Sequence, residues 1–124
     1  EYIGKRIVNA AYEVHKELGP GLLEKVYESC IAQVLREDKI VVVRQQLIPV
    51  NFKGKVYDDA LRLDLLVDDL VICEIKAAEA INPVWHAQIL SHLKLTGKNL
   101  GYLINFNVPL IKQGIKRFIF NHNK

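Results

Sequence analysis

Charged residues interrupt two otherwise apolar stretches, Arg62-Leu63-Asp64-Leu65-Leu66 and Ile72-Cys73-Glu74-Ile75-Lys76. Burying such groups among Leu, Val and Ile is costly unless they are paired or hold a cation, so these positions are the first candidates for chemistry. In a strand, Glu74 and Lys76 point to one face, about 7 Å apart. Two carboxylates from adjacent strands can hold a hard divalent cation such as Mg²⁺ (or Mn²⁺), which takes oxygen ligands and keeps several waters. A lysine beside them can stabilise a phosphate under attack or help activate a water. The ordinary alternative is a salt bridge on a solvated strand, joining Asp64 or Glu74 to Lys76 or Arg62.

Strand register decides whether the two carboxylates can meet. A simple two-residue hairpin loop at Asp68-Asp69 would put Asp64 opposite Cys73, on the wrong face for Glu74. A shared site therefore requires a bulge or an odd-length loop that brings Asp64 across from Glu74 or Ile72, and that irregularity is expected here.

The elements that must carry these residues follow from periodicity. Ile3, Ile7, Ala10, Ala11, Val14 and Leu18 recur at helical spacing until Gly19-Pro20-Gly21 stops the helix. Leu23, Val26, Tyr27, Cys30, Ile31, Val34 and Leu35 form the stripe of a second helix, ending in the solvated run Arg36 to Lys39. Strand-like segments then cover Ile40 to Val50, Val56 to Val67 and Leu70 to Ala77, with turns at 51–55 and 68–69, an antiparallel meander. Pro83 suits the first turn of a helix that continues from Val84 to Thr96 and stops at Gly97. Leu100 to Phe106 reads as a buried strand and Pro109 to Phe118 as a short last helix. A strand after a crossover helix predicts a mixed α/β sheet of about four strands, three in the meander and one parallel, flanked by helices.

Composition bounds the rest. With 124 residues, 50% hydrophobic and 25% charged, the chain is expected to form a single domain over residues 1–124 with one core, and it has no low-complexity tract. Its 17 basic and 14 acidic residues leave a net charge of +3, which permits a polyanionic partner without requiring one. No apolar run approaches the roughly 20 residues of a membrane span, so no membrane association is expected. The opening residues Glu1 to Arg6 lead into a mixed segment, which suggests no signal peptide, and the lack of an initial Met suggests trimming. Cys30 and Cys73 lie in apolar stretches as small hydrophobes and make no disulfide framework, which fits a reducing cytoplasm.

Gly21-Leu22-Leu23-Glu24-Lys25-Val26-Tyr27 resembles the pattern for which the GxxExxY proteins are named. Asp64 with Glu74-Ile75-Lys76 resembles the D…ExK core of the PD-(D/E)XK nuclease superfamily. Two downstream blocks, His86 to Lys94 and Leu100 to Phe106, are similar to the same family, so the resemblance runs over nearly the whole chain in the right order. It implies a restriction-endonuclease-like fold and a Mg²⁺-dependent (or Mn²⁺-dependent) phosphodiesterase, with Asp64 and Glu74 as metal ligands and Lys76 as the water-activating or charge-stabilising group. Glu24 resembles the first-helix acid that completes the metal shell in many such nucleases; independently, Glu in a first helical turn is favoured by the macrodipole. Tyr27, one turn on, either buttresses Glu24 or is core. Gln88 resembles the glutamine of a QxxxY element, but His92 stands where that element has tyrosine. Without a role, Gln88, Trp85 and His92 would form a partly exposed helix face. The four histidines lack zinc-site spacing, and His15 is expected on the surface or packing face of its helix.

The expected activity is hydrolysis of a nucleic-acid phosphodiester, DNA favoured over RNA, by Asp64, Glu74, Lys76, Glu24 and Gln88. Arg62, His92, Lys94 and Arg117 are the candidate phosphate contacts, scattered rather than collected in one basic run. The alternative is a catalytically inactive nucleic-acid-binding or adaptor protein that keeps the fold. A homodimer is compatible with either, and dimerisation through an exposed apolar face would be a third role.

Overall fold

The computed structural model describes residues 1–122. Helices α1 (Tyr2–Leu18) and α2 (Glu24–Glu37) precede strands β1 (Val42–Phe52), β2 (Lys55–Val67) and β3 (Val71–Lys76). Helix α3 (Val84–Thr96), β4 (Leu100–Asn105), a 3₁₀ turn (Ile111–Gly114) and β5 (Ile115–Ile119) follow. The strands lie in the order β1-β2-β3-β4-β5. All neighbours are antiparallel except β3 and β4, which α3 joins in parallel.

Side-chain alternation splits the core between the two faces of the sheet. Under α1 and α2 lie Leu65, Val67, Val71, Cys73, Ile75, Tyr102 and Ile104, packed on Ile7, Ala11, Ile31 and Leu35. On the other face Leu63, Leu66 and Ile72 pack with Leu93 of α3 and with Phe118 of β5. Burial raises the Cys73 thiol pKa well above its ordinary value, as expected for a cysteine acting as a small hydrophobe. His15 is a packing residue, its Nε2 2.9 Å from the Val108 carbonyl. No helix among the described residues is long and apolar enough to cross a membrane.

Tyr27 is core rather than a support for Glu24. Fully buried, it stacks on Phe106 with ring centroids 4.4 Å apart. Its hydroxyl donates to the Gly19 carbonyl at 2.6 Å and accepts from the Leu22 amide at 3.0 Å. One side chain of α2 thereby fastens both ends of the tight connection from α1.

The last helix expected over Pro109 to Phe118 is a correction. Only Ile111–Gly114 coils, as a 3₁₀ turn, and Ile115–Ile119 extends as a fifth strand paired with β4, Ile104 opposite Ile115 and Leu100 opposite Ile119. Ile111, Ile115 and Phe118 mimic helical spacing, but β4 offers an unpaired edge that a strand satisfies and a helix does not. Gly114 makes the reversal possible: a Cβ there would lie 2.0 Å from the Asn105 carbonyl oxygen.

The expected odd-length loop between β2 and β3 is present. Val67 pairs with Val71, leaving Asp68, Asp69 and Leu70 as a three-residue loop. Both aspartates are left-handed (φ 53 and 54), a conformation Asp adopts more readily than most residues. This shifts the register so that Leu65 faces Cys73, and the next rung would set Asp64 opposite Glu74.

Candidate active site

That next rung is where the sheet opens. Pairing of β2 with β3 stops at Leu65–Cys73, and the Ile75 amide donates instead to Asp64 Oδ2 at 2.8 Å. On the other side of β2, Arg44 pairs with Leu65 and Gln46 with Leu63, but the rung between them, Gln45 opposite Asp64, is missing from the ladder. Gln45 is left-handed there, with φ 54. The facing of β2 slips at the same point: Leu63 packs on the α3 side and Leu65 under α1 and α2, although residues two apart share a face in a regular strand. Asp64 thus sits at a break in the pleat on both flanks.

The break brings acids together. Burial raises the Asp64 pKa to about 7; the charge of Glu74 adds to the rise, followed by those of Glu28 and Glu24, while the Ile75 hydrogen bond opposes it. Glu74 is itself buried, 8% exposed, and its Oε2 lies 3.7 Å from His92 Nδ1. Neither atom has a hydrogen-bond partner. Lys76 is half-buried on the face of Glu74, its Nζ 5.2 Å from the centre of the Trp85 ring, a cation–π contact. Trp85 and His92 both belong to α3, so one helix borders both Glu74 and Lys76.

The expected residues divide accordingly. Asp64 and Glu74 converge, Lys76 shares the face of Glu74, and His92 stands beside Glu74. Glu24 is exposed as the first residue of α2, and its charge is the smallest of those named as raising the Asp64 pKa. Gln88 is exposed, one helical turn from His92 on α3. Arg62 and Lys94 are exposed on β2 and α3. Arg117 lies on the outer strand β5 with its Nη2 3.8 Å from Glu1 Oε2, two strands from β3.

Sequence reasoning passed over Glu28, an acid on the apolar stripe of α2 beside Tyr27 and Ile31. Its side chain is 5% exposed, with Oε2 accepting from Arg44 Nε at 3.0 Å and Oε1 from Gln45 Nε2 at 2.7 Å. A charge inside a helical apolar stripe was the available signal.

Among the described residues, no three His, Cys, Asp or Glu side chains converge closely enough to enclose a metal ion. The donor set nevertheless fits a magnesium-like cation, which is usually held by one or two carboxylates while keeping waters rather than by an all-protein cage. Asp64 and Glu74 supply the carboxylates, and the buried, unpartnered Glu74 Oε2 has capacity for such a ligand.

A sequence model of the PD-(D/E)XK nuclease superfamily matches residues 1–118. The mixed sheet with one parallel pair and helices on both faces is the restriction-endonuclease-like architecture, with five strands rather than four. No curated protein and no solved structure matches the chain.

Proposed function

Because the chain belongs to the PD-(D/E)XK nuclease superfamily, we propose that it hydrolyses nucleic-acid phosphodiester bonds with the help of a divalent cation, using Asp64, Glu74 and Lys76. The observation that carries this reading is the approach of Asp64 to Glu74 at the open end of the β2–β3 ladder, with Lys76 on the same face as Glu74. The GxxExxY pattern from Gly21 to Tyr27 fits the same reading.

Mg²⁺ or Mn²⁺ held by Asp64 and Glu74 would neutralise phosphate charge and make a water a better nucleophile. Asp64 is ionised above about pH 7 in the metal-free protein, and a cation beside it favours the ionised form. The Ile75 amide orients one Asp64 oxygen and leaves the other free to bind. Lys76, steadied by the Trp85 ring, donates to a phosphate oxygen as charge develops there. His92 borders Glu74 and can donate to the same phosphate. Glu24 and Gln88, both exposed, would serve as outer contacts to the substrate rather than as ligands.

The test is cleavage of single- and double-stranded DNA and of RNA, DNA first, with Mg²⁺, Mn²⁺ or chelator. Metal-dependent cutting that Asp64→Ala and Lys76→Ala abolish, with the fold retained, supports the proposal. Nucleic-acid binding that persists in chelator without any cutting would establish the inactive binding protein instead.

A further inference from the structure

Arg44 and Gln45 are consecutive residues of β1, yet both donate to the two oxygens of one carboxylate, Glu28 on α2. In a regular strand consecutive side chains leave opposite faces of the sheet and could not do this. The convergence requires the local reversal at Gln45, whose φ of 54 is costly for a residue with a Cβ and lies at the missing rung opposite Asp64. The strain therefore coincides with the break that frees Asp64 and with the clamp on a buried acid. Glu28 cannot drift: it is 5% exposed and each oxygen is fixed by a donor, although each keeps a second lone pair. On the other side of Asp64, buried Glu74 has an oxygen with no partner.

We propose that Arg44 and Gln45 are positioning residues that hold Glu28 beside Asp64, where it accepts hydrogen bonds from the water shell of a divalent cation instead of ligating it. The role rests on the metal-dependent nuclease reading. It reconciles a buried, immobilised third carboxylate with the lack of any three-acid cage among the described residues. It also separates Glu28 from Glu24: the two are one turn apart on α2, but Glu24 is exposed and Glu28 is clamped.

The experiment is calorimetric titration of Mn²⁺ alone into the metal-free protein, with thermal melting of every variant. Gln45→Gly and Gln45→Asn both remove the reach to Glu28 while tolerating the left-handed backbone, so relief at position 45 offsets part of the donor lost by buried Glu28 and melting temperatures should fall only modestly. Mn²⁺ affinity should fall about tenfold in each, as is usual when a partner that orients a metal site is lost. Arg44→Gln discriminates further. Deleting a cation that acted only through space would tighten Mn²⁺ binding, whereas deleting a positioning residue loosens it. In cleavage assays the apparent Mn²⁺ requirement should rise while the rate at saturating Mn²⁺ recovers. Unchanged affinity in both Gln45 variants, tighter binding by Arg44→Gln, or a rate defect that saturating Mn²⁺ leaves in place would overturn the positioning role and leave the nuclease reading standing. A parent protein that binds no Mn²⁺ would overturn both.

Discussion

Asp64→Asn should stabilise the metal-free protein at alkaline pH and do little in acid. The Asp64 carboxyl has its pKa raised from an ordinary 3.8 to about 7, first by burial and then by Glu74. A raised acid pKa means that the folded state holds the proton more tightly than the unfolded chain. The resulting stability is fully present below about pH 4 and is lost as pH climbs to about 7, after which the folded protein carries an ionised, poorly solvated Asp64. The interval has a ceiling of roughly 4 kcal/mol. Partial solvent access to Asp64 screens some of that, so the expected gain for Asp64→Asn at pH 8 is about 2 kcal/mol. Asparagine keeps an oxygen for the Ile75 amide, so little else changes. The assay is urea denaturation of parent and variant in chelator at pH 4 and pH 8, with a repeat at pH 8 in Mg²⁺. Magnesium should restore stability to the parent and do much less for the variant, because only the parent gains a ligand for its carboxylate pair. If Asp64→Asn were equally stable or weaker than the parent at pH 8, the idea of a charge-burdened notch at the end of the β2–β3 ladder would be wrong.

Three further outcomes follow from individual contacts. Lys76→Ala should lower the cleavage rate by on the order of a hundredfold or more while circular dichroism stays unchanged, the usual cost of a lost charge-stabilising donor; an active Lys76→Ala protein rules out its assignment. Tyr27→Phe keeps the stack on Phe106 but removes the hydroxyl's bonds to Gly19 and Leu22, so urea unfolding should show a loss of about 1–3 kcal/mol, and a neutral effect would mean that the connection between α1 and α2 holds itself. Gly114→Ala forces a methyl onto the Asn105 carbonyl and should cost about 1–3 kcal/mol or more; a stable variant would argue against the reversal that feeds β5.

What was legible in the sequence had its cause written locally. The stripes of α1 and α2, the proline-started and glycine-stopped α3, and the parallel strand after it all follow from periodicity and end signals carried by the segments themselves. The odd-length loop came from a different argument: a shared site for Asp64 and Glu74 demands a bulge or an odd-length loop, and the three-residue loop between Val67 and Val71 is the one the chain uses. Periodicity failed at the fifth strand. Ile111, Ile115 and Phe118 are spaced as a helix spaces its apolar face, and what overrides that spacing is the unpaired edge of β4, a tertiary fact.

The site shows the same division more sharply. Asp64, Glu74 and Lys76 stand out because charges inside apolar strands need a reason, and each strand announces its own anomaly. Glu28 stands out only in retrospect, because its reason lies sixteen and seventeen residues away on β1. Arg44, Gln45 and Gln46 are consecutive polar residues of a strand, and alternation would send Arg44 and Gln45 to opposite sides. The left-handed turn at Gln45 defeats that inference, as does the slip at Asp64 that puts Leu63 and Leu65 on different faces. Both irregularities fall on one missing rung, and without it Asp64 would be an ordinary ladder residue with its carboxylate committed to one face of the sheet. The rule that sequence patterns rely on is suspended where Asp64 leaves the ladder and Glu28 takes donors from two consecutive residues of β1, so periodicity is least informative around the buried acids.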